Sequence, residues 1–257
     1  MKKKIREIIK KKNIIKIVCL TAYSSNMSKI LDKYCDIILV GDSLANVLYG
    51  MTNTRNVTID IMSEHAKSVK KVIKKSLCIV DMPYGSYNNS KQAVQNARKI
   101  LKRSRCDAVK IENNNYNYHI IENLVKSKIP VMGHIGFTPQ FKKKFKVEGN
   151  SKSSEKKIIN QAIKIQKAGA FSIVLECISS KASKKISSIL KIPTIGIGSS
   201  RYCDGQILVT DDILGLGDFN AKFVKKYINL NKIIEKCIQK YRNEVITKKF
   251  PKKINSY

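Results

Sequence analysis

The sequence predicts an α/β fold, a (β/α)8 TIM barrel with an N-terminal helix and C-terminal helices, on three observations. The chain has 257 residues, the size of one such barrel, which takes roughly 250. Eight short apolar, β-branched runs recur along it, each separated from the next by a stretch with helical periodicity. Runs of that kind are strands buried on both faces, the signature of a parallel sheet with crossover helices. Eight parallel units favour closure into a barrel.

The first segment, MKKKIREIIKKKN, is basic but has neither an apolar h-region nor a small-residue cleavage site. It reads as an amphipathic helix against one end of the barrel, with binding to a membrane surface as the alternative. The strands follow as Ile17–Tyr23, Ile37–Asp42, Leu77–Pro83, Ala108–Glu112, Val131–Gly136, Ser172–Cys177, Thr194–Ser199 and a shorter Gly205–Val209. Between them, Met62, Ala66, Val69 and Ile73, or Ala93, Ala97, Ile100 and Leu101, recur at three- and four-residue spacing, one face of a helix packed on the sheet. Thr58 is placed to cap one of these helices and Ser90 the next. After Val209 the pattern is helical again from about Ala221 to Ile246, and no Pro or Gly linker marks a boundary, so residues 1–257 read as a single domain.

The formal charge of +31 raises nucleic-acid binding, which clustered Lys and Arg would drive. The distribution argues against it. Only seven of the 50 basic residues are Arg, and the lysines are dispersed among abundant Ile and Asn, as AT-rich codon usage produces. The expectation is no specific nucleic-acid partner. Seven Cys at irregular positions without a CxxC pair fit neither a zinc ribbon nor a disulfide framework, so they read as reduced, mostly buried thiols. No segment approaches 18 uninterrupted apolar residues, and the expected location is the cytoplasm, away from the membrane.

In barrels of this type the active site lies at the carboxyl ends of the strands. There the sequence places Asp42 and Ser43, Asp81, Lys110 and Glu112, His134, Glu176, then Gly198 and Ser199. Asp42 and Asp81 are two hard oxygen donors on neighbouring strands, suited to Mg2+ with substrate and water in its other positions, and Glu112 completes or hydrogen-bonds that shell. An Asp at a strand end also caps turns, but three acids on adjacent strands outweigh that reading for either residue alone. Lys110 and Glu112, two apart on one strand, share a face. Lys110 therefore either pairs with Glu112 or offers its ammonium to a substrate carboxylate or keto oxygen. His134 sits among glycines that permit close backbone approach and is placed to donate to the same ligand. Glu176 ends an apolar strand, a partly desolvated position that raises a carboxyl pKa as a carbon-acid base requires; the alternative is a pairing with Lys110.

The segments LTAY, LVGDSL, DMPYGSY, AVKIE, GHIGFTPQ, VLEC, PTIGIGS and DGQILV, in this order and spacing over roughly Leu20 to Gly215, closely resemble the ketopantoate hydroxymethyltransferase family. The resemblance implies transfer of a hydroxymethyl group from 5,10-methylenetetrahydrofolate to 3-methyl-2-oxobutanoate, giving 2-dehydropantoate on the route to pantothenate and coenzyme A. It implies a (β/α)8 barrel assembled as a homo-decamer. By position it implies Asp42 and Asp81 as magnesium ligands with Glu112 close by, Ser43, Lys110 and His134 as residues touching the keto acid along with the metal-binding Asp42 and Asp81, and Glu176 as the proton acceptor. Magnesium chelated by the carboxylate and keto oxygens would acidify the adjacent carbon and stabilise the enolate. The sequence departs from the family pattern in three loops. FKKKFKVEGNS after TPQ is about three residues short and lacks a glycine pair, Ser200 stands for a usual Gly, and Ala221 for a usual Pro. Retained activity is expected, with altered loop closure or folate affinity. A metal-dependent carbon–carbon lyase would share the paired acids, but no Cys follows a strand in a convincing loop motif for one.

Overall fold

In the computed structural model, which describes residues 3–114, 117–142 and 144–257, the chain divides into two compact units, Met1–Val209 and Thr210–Tyr257. Among the described residues, eight parallel strands close into a barrel in sequence order: β1 Ile17–Thr21, β2 Ile37–Val40, β3 Leu77–Asp81, β4 Ala108–Glu112, β5 Val131–Gly136, β6 Ser172–Glu176, β7 Thr194–Ile197 and β8 Gly205–Leu208. β8 returns to β1 with Ile17 opposite Gly205, as the eight-run reading expects. β4 and β5 have the predicted bounds. The other six stop one or two residues early, so that Asp42 and Ser199 fall in loops while Asp81 and Glu176 are the last residues of β3 and β6.

The helices of the first unit are α1 Lys3–Lys10, α2 Ser25–Leu31, α3 Leu44–Val47, α4 Ile59–Lys70, α5 Ser90–Ser104, α6 Tyr118–Lys126, α7 Lys152–Lys167 and α8 Ser180–Ile189. Thr58 caps α4 by accepting from the Ile61 N–H at 3.2 Å. For α5 the expected cap shifts by one: Asn89, not Ser90, accepts from the Gln92 N–H at 2.9 Å, and Asn is as good an N-cap as Ser. The predicted faces are buried, with Met62, Ala66 and Val69 on α4 and Ala93, Ala97 and Ile100 on α5.

Strand alternation splits the core in two. Outward-facing Ile38, Val40, Cys78, Val80, Val109, Ile111, Ile173 and Leu175 join the helix faces in one cluster. Inward-facing Ile17, Ile37, Leu39, Leu77, Ile79, Ala108, Met132, Val174 and Ile195 form a second, and Ile5 and Ile8 of α1 belong to it. The basic first segment is thus an amphipathic helix that contributes to the apolar filling of the barrel. Lys12 following it makes a buried ion pair with Asp204 at 2.9 Å. Six of the cysteines are buried, Cys237 is exposed, and all seven are free thiols.

The second unit holds α9 Thr210–Leu214 and α10 Leu230–Ile246. The helix expected from about Ala221 begins nine residues later. Asn229 sets its start by accepting from the Lys232 N–H at 3.2 Å, while Lys222, Lys225 and Lys226 at helical spacing would repel one another. No residue of α10 is buried, and Ile233, Ile234, Ile238, Tyr241 and Val245 are exposed. No described helix is long and apolar enough to cross a membrane.

Candidate active site

The inward positions that carry Leu77, Ile79, Ala108, Met132 and Val174 lower in the barrel continue, at the two-residue period of a strand, to Asp81, Lys110 and Glu112, His134 and Glu176. Five of the predicted site residues therefore share the barrel interior by parity, stacked above an apolar floor. All but Glu176 are nearly inaccessible, from 1% for Glu112 to 6% for Lys110.

Asp81 and Lys110 are register partners on β3 and β4, and the Lys110 ammonium lies 2.6 Å from Asp81 Oδ1. This settles the two pairings left open by spacing: Lys110 pairs with the acid beside it on the next strand, neither with Glu112 two residues along its own nor with Glu176. Glu112 is instead the register partner of His134. The imidazole stands between two carboxylates, with Nε2 3.1 Å from Glu176 Oε2 and Nδ1 3.7 Å from Glu112 Oε1. Neither ring nitrogen has a well-aligned hydrogen-bond partner among the described residues, and Asp81 Oδ1 has none beyond its ion pair. Buried polar atoms in that condition are costly unless a ligand satisfies them. The close approach allowed by the glycines around His134 is to protein. A Cβ at Gly133 would meet Ile165 of α7 at 2.5 Å, and one at Gly136 (φ +97°) would lie 1.9 Å from the Glu176 carbonyl oxygen.

Asp42 and Ser43 follow β2 in the turn that opens α3. The Asp42 N–H donates to Asp81 Oδ2 at 3.0 Å, which holds the two acids side by side. Ser43 Oγ lies 2.8 Å from the Tyr23 hydroxyl. Asp42 Oδ2 accepts from Gln140 Nε2 at 2.7 Å. Ser199 does not join this group: its hydroxyl donates to the Leu175 carbonyl at 2.7 Å and accepts from the Ile178 N–H, fastening the end of β7 to the loop after β6.

Three carboxylates around one ammonium set the electrostatics. Burial opposes the charge on Lys110, but Asp81, Asp42 and Glu112 outweigh it and hold its pKa above the usual lysine value. Burial, then repulsion from Asp81, pushes Asp42 up to about 7. Burial, then Asp42, raises Glu112 well above the ordinary carboxylate range. Burial lowers the pKa of His134, against the opposing pull of Glu176. The cluster carries more acid than one cation can neutralise, which favours a further positive charge. No three His, Cys, Asp or Glu side chains among the described residues form a ready-made metal cage. The paired oxygens of Asp42 and Asp81 suit a hard cation that takes its other ligands from substrate and water.

A family model described as ketopantoate hydroxymethyltransferase matches residues 2–253. The chain belongs to that family. It is 50% identical over 257 residues to the "3-methyl-2-oxobutanoate hydroxymethyltransferase" of Pelagibacter ubique, covering 100% of both chains. To the protein of the same name from Rhizobium etli it is 46% identical over 240 residues, 91% of this chain and 88% of that one. Among solved structures, a phosphoenolpyruvate phosphomutase from Streptomyces platensis subsp. rosaceus superposes with a TM-score of 0.64 at 11% identity, covering 95% of this chain and 87% of that one. At that identity the likeness is one of fold.

Two of the departures from the ketopantoate hydroxymethyltransferase pattern have visible consequences. Ser200 is not among the residues with positive φ, and its hydroxyl accepts from the Tyr202 N–H and bonds Ser180 Oγ, both at 3.2 Å. The short loop after Gln140, of which Lys143 lies outside the described residues, is tied down by Lys142. Its ammonium donates to the Gly136 carbonyl at 2.7 Å and to Glu148 at 2.8 Å. Gln140 and Tyr87 are residues of this group that strand-end reasoning misses, since both lie in loops well past a strand. Tyr23 closes the first predicted strand but lies two residues beyond β1, and the sequence alone does not single it out. The signal within reach was that GFTPQ and DMPYGSY extend polar, turn-forming sequence well past their strands.

Proposed function

We propose that this chain transfers a hydroxymethyl group from 5,10-methylenetetrahydrofolate to 3-methyl-2-oxobutanoate, forming 2-dehydropantoate and tetrahydrofolate, with Mg2+ held by Asp42 and Asp81. The observation that supports the reading is a buried cluster in which Asp42 and Asp81 are held side by side and Glu176 meets His134 at 3.1 Å, in a chain of this family. The donor set fits magnesium. Asp42 and Asp81 offer two carboxylates held together by one backbone hydrogen bond, and the acid excess around Lys110 favours a divalent cation. Glu112 completes or hydrogen-bonds the shell. When bound, magnesium supplies Lewis acidity to the keto and carboxylate oxygens of the substrate, which makes the proton on the adjacent carbon removable.

The residues of the chain do the rest. Lys110, charged at any working pH, is placed for the substrate carboxylate or keto oxygen, and Ser43 and His134 supply donors to the same molecule. Glu176 accepts the proton from C3 of the keto acid, and His134, kept neutral by burial, orients that carboxylate. The C3 carbanion attacks the folate-borne carbon as one of its two C–N bonds breaks, and water displaces the second nitrogen and becomes the product hydroxyl. The proton taken from C3 and one from water go to the two nitrogens, giving tetrahydrofolate. The dispersed basic surface favours capture of the anionic folate tail. A homo-oligomer, decameric and cytoplasmic as in the family resemblance, is part of the same reading, and the exposed apolar side chains of α10 support it.

The test is 2-dehydropantoate formation from the two substrates. Turnover should require Mg2+ and be lost in Asp81→Ala. A folded wild-type protein with no Mg2+-dependent turnover overturns the proposal.

A further inference from the structure

Gln140 is 1% exposed and lies in the loop after β5, yet its hydrogen bonds reach the ends of three other strands. Its Nε2 donates to Asp42 Oδ2 at 2.7 Å and to the Met82 carbonyl at 3.0 Å. Its backbone N–H donates to Glu112 Oε2 at 3.0 Å, and its Oε1 accepts from the Tyr87 hydroxyl. A carbonyl can only accept, so the Met82 contact fixes which end of the amide is NH2. Both amide protons are then committed, one to Met82 and one to Asp42, and the Tyr87 hydroxyl fills the other end. Tyr87, itself 4% exposed, packs edge-on to Phe141 with ring centroids 6.2 Å apart. Gln140 therefore cannot rotate without breaking several buried bonds.

We infer that Gln140 is a positioning residue for the metal-binding carboxylates, and that Tyr87 positions Gln140. The inference rests on the assignment of Asp42 as a metal ligand. One Asp42 oxygen is engaged by Gln140, and Oδ1 makes no hydrogen bond to the described residues, so it is the atom left for a cation. The same residue, through its main chain, holds Glu112 beside Asp42. One loop residue thus sets the orientation of two acids delivered by two different strands. A methylene chain of similar length would leave Asp42 able to rotate about its terminal torsion, and its oxygens would have to be ordered anew when metal binds.

The experiment is calorimetric titration of Mg2+ into the full chain with no substrate present, for wild type, Gln140→Met, Tyr87→Phe and the double variant. Partners that orient a metal ligand typically contribute 10- to 100-fold in affinity, so Gln140→Met should weaken Mg2+ binding about 10-fold at least. Tyr87→Phe should weaken it less, and should add little in the Gln140→Met background, because the hydrogen bonds that link Tyr87 to Asp42 run through Gln140. A folded Gln140→Met protein that binds Mg2+ as tightly as wild type overturns the inference and leaves the metal assignment standing. Wild type that binds no Mg2+ removes the metal assignment and this inference with it. If Gln140→Met does not fold, Tyr87→Phe decides: folded protein with unchanged Mg2+ affinity refutes the role.

Discussion

Replacing Glu176 by Gln separates chemistry from structure at the proposed base. Gln keeps the length of the side chain and an acceptor oxygen, so the 3.1 Å approach of His134 Nε2 is retained. The cost to folding should stay below about 1 kcal/mol, the net worth of one hydrogen bond. What disappears is the carboxylate that takes a proton from carbon. A positioned general base contributes roughly 10²–10⁴ in rate, equivalent to about 3–5 kcal/mol of barrier at 1.36 kcal/mol per decade. Proton abstraction does not need folate, so the assay is deuterium exchange at C3 of 3-methyl-2-oxobutanoate in heavy water, with and without Mg2+. Wild type should exchange only with Mg2+. Glu176→Gln should lose exchange by that factor while Mg2+ and keto acid binding are little changed. Exchange near the wild-type rate in Glu176→Gln would place the base elsewhere and refute the reading of the β6 terminus.

Two further outcomes follow from the surrounding structure. Gly136→Ala forces a residue with a Cβ to φ +97°, with that Cβ 1.9 Å from the Glu176 carbonyl. The backbone strain alone is worth about 1–3 kcal/mol, and β6 must shift to relieve the clash. The expected result is a lowered melting temperature together with reduced kcat, and an Ala variant with wild-type values of both would contradict the close packing of β5 on β6. The second outcome concerns acid stability. Burial raises the Asp204 pKa, but Lys12 and the N–H groups of Thr194 and Asn13 outweigh it and bring the value below the ordinary 3.8. A depressed carboxylate stabilises the fold fully above its unfolded pKa, and that contribution is lost as pH falls through the folded value. Asp204→Asn should therefore melt below wild type at pH 7, with the gap closing as pH drops below about 4; a gap independent of pH in thermal melts would exclude the ion pair as its source.

Much of the site was legible because strand parity is a local property. Once β3 to β6 are recognised as strands, the period of two places Asp81, Lys110, Glu112, His134 and Glu176 on one face with the apolar residues below them. That these residues gather at one end of a closed barrel follows from the strand count. Helix faces were equally readable, since Met62, Ala66 and Val69 or Ala93, Ala97 and Ile100 declare their burial by spacing. Boundaries were less so. Asn89 and Ser90 are both good caps, and only the backbone turn chooses between them. The start of α10 at Leu230 rather than near Ala221 likewise rests on capping by Asn229.

Pairing was decided by tertiary structure alone. Lys110 had Glu112 and Glu176 as candidate partners in the sequence, and register between β3 and β4 gave it Asp81. Gln140 showed the same limit more sharply: in sequence it is a polar residue four positions past a strand, and in the fold it ties Asp42, Met82 and Glu112 together. The sequence by itself determined the eight-stranded fold, the inward set of titratable groups and the family, because periodicity and motif order are written along the chain. Which acid meets which base, and which loop residue holds them, depends on how neighbouring strands are staggered and how loops cross the barrel mouth. Those are distances between residues far apart in sequence, and no local pattern encodes them.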